Sequence, residues 1–132
     1  MNPGPPEINF GYVLGGWRTR AGEGKRTPEN EVILFAKYTL HPGQRAKFQD
    51  VLLEGLTAID EEEPGTLSIL LIEDDSKDDV TYVTERFKDQ AAMDAHMNGS
   101  GSSKVGPVVK ACVKSREGGV FKYLTGFISK DE

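Results

Sequence analysis

The run Glu63-Pro64-Gly65-Thr66-Leu67-Ser68-Ile69-Leu70-Leu71-Ile72-Glu73 leads, after an acidic turn, into Thr81-Tyr82-Val83-Thr84-Glu85-Arg86-Phe87 and then a short segment ending His96-Met97. Pro64-Gly65 breaks whatever precedes it, so the apolar, β-branched residues from Thr66 to Glu73 read as a strand. The acidic residues around Asp74 to Asp79 belong in a solvated hairpin turn, and Asp79 to Phe87 is the antiparallel neighbour. Asp89 is placed to cap a helix running through Met97.

The pattern extends outward in both directions. Val32 to Leu40 is a strand stopped by His41-Pro42-Gly43, and Pro42 opens a helix in which Phe48, Val51, Leu52, Gly55, Leu56 and Ile59 recur at helical spacing. Downstream, Asn98 to Ser103 is a loop, and Val105, Val108, Val109, Cys112 and Val113 line one face of a further helix. Gly118-Gly119 is expected to end it, and Val120 to Ile128 to form a fourth strand. The order β-α-β-β-α-α-β is that of an α+β, ferredoxin-like split sheet with its helices on one face.

Strand parity picks out candidate chemistry. Thr81, Val83, Glu85 and Phe87 share a face. Val83 and Phe87 belong in a core, so Glu85 is carried inward with them, where a carboxylate needs a partner. His96, on the following helix, is the nearest by connectivity. A Glu85–His96 pair either orients an imidazole as a general base or clamps helix to sheet. The other face, with Ile33, Phe35 and Tyr82, is also largely apolar and needs a cover, which points to a homodimer with Arg86 and Lys37 at its interface.

The chain has 132 residues, enough for one domain with a real core. Its net charge of −5 argues against a nucleic-acid footprint or an anionic membrane surface. One cysteine and two histidines offer neither a disulfide nor a zinc cluster, so no metal is expected. No apolar run suits a spanning helix and no leader is visible, so the expected location is the cytoplasm. Residues 1–30, rich in proline and glycine, are expected to be a flexible arm, and 31–132 the folded domain; the apolar Phe10-Gly11-Tyr12-Val13-Leu14 and Trp17 leave open that part of the arm folds back onto the domain or a second subunit. Trp17 in the arm is either an anchor or a lid. Met93 and Met97 either line a pocket or fill core, and Cys112 reads as a small buried hydrophobe. Gly15-Gly16 and Gly99 to Gly101 lack the spacing of a phosphate loop.

Three segments together resemble the antibiotic biosynthesis monooxygenase domain: Phe35-Ala36-Lys37-Tyr38-Thr39-Leu40-His41-Pro42-Gly43; Glu63-Pro64-Gly65-Thr66-Leu67; and Thr84-Glu85-Arg86-Phe87-Lys88-Asp89 with Ala92 and His96. The resemblance implies a dimeric α+β barrel with a ligand pocket between sheet and helices in each protomer. It places Leu34 and Tyr38 on the helix side, Tyr38 offering a phenol to a ligand. It implies an apolar or aromatic small-molecule partner and cofactor-free oxygenation of an enolisable or phenolic secondary metabolite such as a polyketide. His96 would be the base, Glu85 its support, and Tyr38, Phe87, Leu34, Val83, Met93, Met97 and Trp17 the binding surface. The haem-degrading branch is disfavoured, because Leu34 and Phe87 stand where that branch has asparagine and tryptophan, and the helix from Lys104 to Val113 lacks its histidine. Family membership fixes fold better than reaction. An isomerase, cyclase or lyase on the same pocket, and a non-catalytic dimeric binding or accessory protein, are the alternatives.

Overall fold

The computed structural model describes residues 11–20 and 24–122. Among them, in chain order, are β1 (Gly11–Trp17), β2 (Val32–Leu40), α1 (Arg45–Glu62), β3 (Thr66–Asp74), β4 (Val80–Phe87), α2 (Gln90–Met97), α3 (Ser100–Cys112) and β5 (Val113–Lys122). The sheet order is β1-β3-β4-β2-β5, with every neighbouring pair antiparallel. Without β1 this is the ferredoxin-like arrangement the sequence predicts. Asp89 caps α2 as expected, its side chain accepting from Ala92 N at 2.8 Å.

Cross-strand register confirms the parity argument. Leu34 stands opposite Glu85, Ala36 opposite Val83, and Tyr38 opposite Thr81. Thr81 is met by Gln49 of α1, whose Nε2 donates to Thr81 Oγ1 at 3.0 Å, so this is the face the helices cover. Three apolar clusters lie beneath them: Val32, Leu34, Ala36 and Phe87; Ile59, Ile69, Leu71 and Val83; and Leu40, Phe48 and Cys112. Tyr38 packs against all three, so its ring sits where the core sub-regions meet. Cys112 is fully buried. No helix among the described residues is long and apolar enough to cross a membrane.

Three expectations need correction. Gly11–Trp17, inside the stretch expected to be a flexible arm, forms an edge strand on β3, which is the fold-back alternative rather than a solvated tail. Gly16 permits the pairing: its φ is +104°, and a Cβ there would lie 1.9 Å from Ile69 O. The remainder of the expected arm that precedes Gly11, and residues 21–23, lie outside the described residues.

The last helix stops at Cys112, and the final strand begins at Val113 rather than Val120. Residues 114–117 are polar because β5 is a largely exposed edge strand, which hides the period-two signal. Gly118 serves close backbone approach rather than helix termination: its φ is +144°, and a Cβ would meet Phe35 O at 2.0 Å. The part of the expected strand beyond Lys122 lies outside the described residues.

Arg86 is not an exposed interface charge. It is 2% exposed and pairs with buried Glu31 at 2.6 Å, while its Nε donates to Ser68 Oγ at 2.9 Å. Arg26 holds the other Glu31 oxygen at 2.7 Å. Burial opposes the charged form of Glu31, and the two guanidiniums outweigh it, holding the carboxyl below its ordinary range. Arg86 also donates to Arg18 O at 3.2 Å, tying the segment after β1 to the sheet.

Candidate functional site

A cavity of about 220 Å³ lies between the helix-covered face of the sheet and the helices. Of the residues singled out from sequence, Leu34, Tyr38, Val83, Glu85, His96 and Met97 line it. Three others do not. Phe87 is fully buried, its ring 5.2 Å from that of His96, and so backs the imidazole. Met93 packs on the Val32, Leu34, Ala36 and Phe87 cluster. Trp17 packs on the Ile59, Ile69, Leu71 and Val83 cluster, under Arg20 at 4.8 Å.

His96 reaches the cavity because α2 is only two turns long and turns directly off the end of β4. Its Nε2 is 3.3 Å from Glu85 Oε1, so the pair inferred from parity is present. The tighter partner is one the sequence reading did not assign: His96 Nδ1 lies 2.6 Å from Glu63 Oε1. Thr66 Oγ1 donates to the same Glu63 oxygen at 3.1 Å. The backbone of His96 is fixed in turn by Ser102 Oγ, which donates to His96 O at 2.6 Å.

An imidazole with a carboxylate at each nitrogen donates from both, which is the cationic form. Burial works against that charge, but Glu85 and then Glu63 outweigh it, and the His96 pKa is pushed up to about 9. The ring is therefore an imidazolium through neutral pH. A neutral imidazole base, the role expected from sequence, is not the form this arrangement favours.

Arg116 of β5 also lines the cavity. It stands directly across from Tyr38 in the register, its guanidinium 5.7 Å from the ring centroid. Burial pushes the Tyr38 phenol up, with Arg116 offsetting part of the effect, so Tyr38 is a hydrogen-bond donor and not a base. Sequence reasoning missed Arg116 because residues 113–117 read as helix. Glu63 carried a usable signal, since the helix-breaking Pro64-Gly65 beside it marks the entry to the central hairpin. Among the described residues no group of His, Cys, Asp and Glu is arranged to hold a metal ion.

The site thus combines an apolar enclosure, a carboxylate and imidazolium pair suited to moving a proton, and a phenol and guanidinium able to donate to a ligand oxygen. The sequence profile of the antibiotic biosynthesis monooxygenase family matches residues 31–114. No curated protein matches the chain. Among solved structures, a variant of SnoaB, a cofactor-independent oxygenase from Streptomyces nogalater, aligns with TM-score 0.64 and 20% identity over 74% of this chain and 96% of that one. A Nitrosomonas europaea protein of unknown function aligns with TM-score 0.65 and 22% identity over 76% of this chain and 96% of its own. A Pseudomonas aeruginosa protein aligns with TM-score 0.66 and 21% identity over 75% and 99%. At these identities the likeness is one of fold.

Proposed function

The chain belongs to the antibiotic biosynthesis monooxygenase family, and we propose that it is a cofactor-independent monooxygenase of a small enolisable or phenolic metabolite. The observation that carries this reading is the His96 ring held between Glu63 and Glu85 at the wall of an apolar cavity. The oxygenase activity named for SnoaB, which shares the fold, supports the reaction class.

In this reading Glu85 accepts the substrate proton. His96, charged because of its two carboxylates, balances the negative charge that develops on the substrate, and Tyr38 and Arg116 donate to the enolate oxygen. The apolar walls exclude water, which strengthens these interactions. The electron-rich carbon then reacts with dioxygen. For an activated methylene the balance is one CH₂ plus O₂ giving one C=O plus H₂O, so one oxygen atom enters the product and the other leaves as water.

Cavity size narrows the substrate. A pocket of roughly 150 Å³ takes up benzene, so about 220 Å³ suits one or two fused rings better than a tetracyclic polyketide. The same size and the same proton-moving pair favour a second reading, isomerisation or elimination of a small metabolite without oxygen. A binding module with Glu85 and His96 purely structural is the non-enzymatic alternative.

The assembly we propose is a homodimer through the sheet face away from the helices, where Phe35 is 37% and Phe121 52% exposed. A reducing cytosol fits the single cysteine.

The deciding experiment is oxygen uptake with hydroquinone-like and anthrone-like substrates, comparing the wild type with Glu85→Gln, and repeating any turnover anaerobically. Uptake lost in the variant supports the oxygenase. Turnover that persists without oxygen moves the assignment to an isomerase, and no turnover with any substrate moves it to a binding module.

A further inference from the structure

Arg20 lies outside the segment matched by the family profile, which begins at residue 31. Its guanidinium nevertheless closes on the turn that carries Glu63. Nε donates to Thr66 O at 2.7 Å, and one terminal nitrogen donates to Glu63 O at 3.0 Å and Ile59 O at 3.1 Å. The other donates to Asp60 O at 3.0 Å and Asp60 Oδ1 at 2.9 Å.

These acceptors are where α1 needs a cation. The helix ends in Asp60-Glu61-Glu62-Glu63 and has no basic residue in its last turn, so like charges crowd the negative end of its dipole. Arg20 supplies the missing charge from another part of the chain and takes up terminal carbonyls as it does so. The position is secured from behind, since β1 pairs with β3, Arg18 O accepts from Arg86 and from Ser68 Oγ, and Trp17 stacks on the Arg20 guanidinium.

The placement of the Glu63 side chain depends on that turn. Glu63 Oε1 receives both Thr66 Oγ1 and His96 Nδ1, while Oε2 is buried with no hydrogen-bond partner among the described residues. Oε2 adds no hydrogen bond to hold the carboxylate, so beyond the two contacts on Oε1 its location follows the Glu63 and Thr66 backbone, whose carbonyls Arg20 bridges.

We infer that Arg20 is a positioning residue: the segment after β1 holds the Glu63 carboxylate against His96 and so completes the proton-transfer site. The inference builds on the proposed function, but its test needs no turnover. The chain has two histidines, and exposed His41 serves as an internal reference in ring NMR. In the wild type, His96 is expected to titrate near 9 and to show a far-downfield Nδ1 proton. In Arg20→Gln the titration midpoint is expected to fall by about one unit or more, and the downfield proton to disappear.

Asp60→Asn, which removes only the exposed ion pair, is the control and should leave both signals in place. Arg20→Lys keeps the charge without the planar fork that spans two carbonyls, and should shift the midpoint in the same direction by less. It also decides the matter if Arg20→Gln does not fold. A merely structural role would lower the melting temperature and leave the His96 signals of the folded protein unmoved; that result overturns the inference. Absence of oxygen uptake with every substrate would sink the proposed activity alone, because the NMR readout is independent of it.

Discussion

Glu63 Oε1 and His96 Nδ1 stand 2.6 Å apart although 33 residues separate them in the chain. Glu63 closes α1 and His96 sits near the end of α2, so the contact joins two helices across the entry to the central hairpin. With Glu85 on the other ring nitrogen, it converts a histidine of ordinary reactivity into a buried cation.

That cation makes stability pH-dependent in a stated direction. The folded pKa of about 9 lies above the ordinary 6.5, so the contribution is complete below about 6.5 and is lost as pH rises through 9. The shift corresponds to roughly 3 kcal/mol. Urea unfolding of the wild type should lose stability across this window, and His96→Asn should abolish that slope. A wild type equally stable at both ends would refute the assignment of charge.

The two carboxylates should separate kinetically. Glu85→Gln removes the proposed proton acceptor and is expected to lower kcat/KM by about 10²- to 10⁴-fold. Glu63→Gln removes the tighter partner of the imidazolium while leaving Glu85 in place, and should shift the alkaline limb of the pH profile downward. Steady-state turnover of both variants across pH checks this, and identical profiles would contradict the division of roles.

Glu31 is 1% exposed and lies between Arg26 and Arg86. Glu31→Gln removes the buried carboxylate that Arg26 and Arg86 share and should cost about 3–5 kcal/mol at neutral pH. The folded pKa of Glu31 is depressed, so its contribution is present above the ordinary 4.5 and is lost as pH falls through the folded value. The difference between wild type and variant should therefore narrow in acid, as thermal melts at neutral and acidic pH will show.

The proposed dimer rests on apolar side chains of the outer sheet face. Phe35→Glu places a charge where a second sheet would pack and should yield a monomer, while the wild type measures as a dimer by light scattering after size exclusion. A wild-type monomer would refute the proposed assembly.

The central hairpin, α1 and the pairing of Glu85 with His96 were legible because each rests on local periodicity. The alternation along β4 put Glu85 on the core face with Val83 and Phe87, and chain direction brought α2 back over it. The final strand was not legible. An edge strand covered on one side tolerates polar residues such as Lys114, Ser115 and Arg116, so its sequence lacks the alternation that marks a half-buried strand. Arg116 was lost from the candidate site for the same reason. β1 was obscured by its glycines, which read as flexibility but provide the close approach to Ile69.

Sequence alone determined the ferredoxin-like order and the inward face of each central strand, since these follow from side-chain periods of two and 3.6 and from turn residues within a few positions; the family was legible only as a resemblance carried by three motif segments. Tertiary structure decided the charge on His96, the choice of Glu63 as its closest partner, and the use of Arg20 to hold that partner. A pKa depends on burial and on charges brought close through space. Those neighbours come from α1, β4 and the segment after β1, whose separations along the chain carry no signal of their proximity.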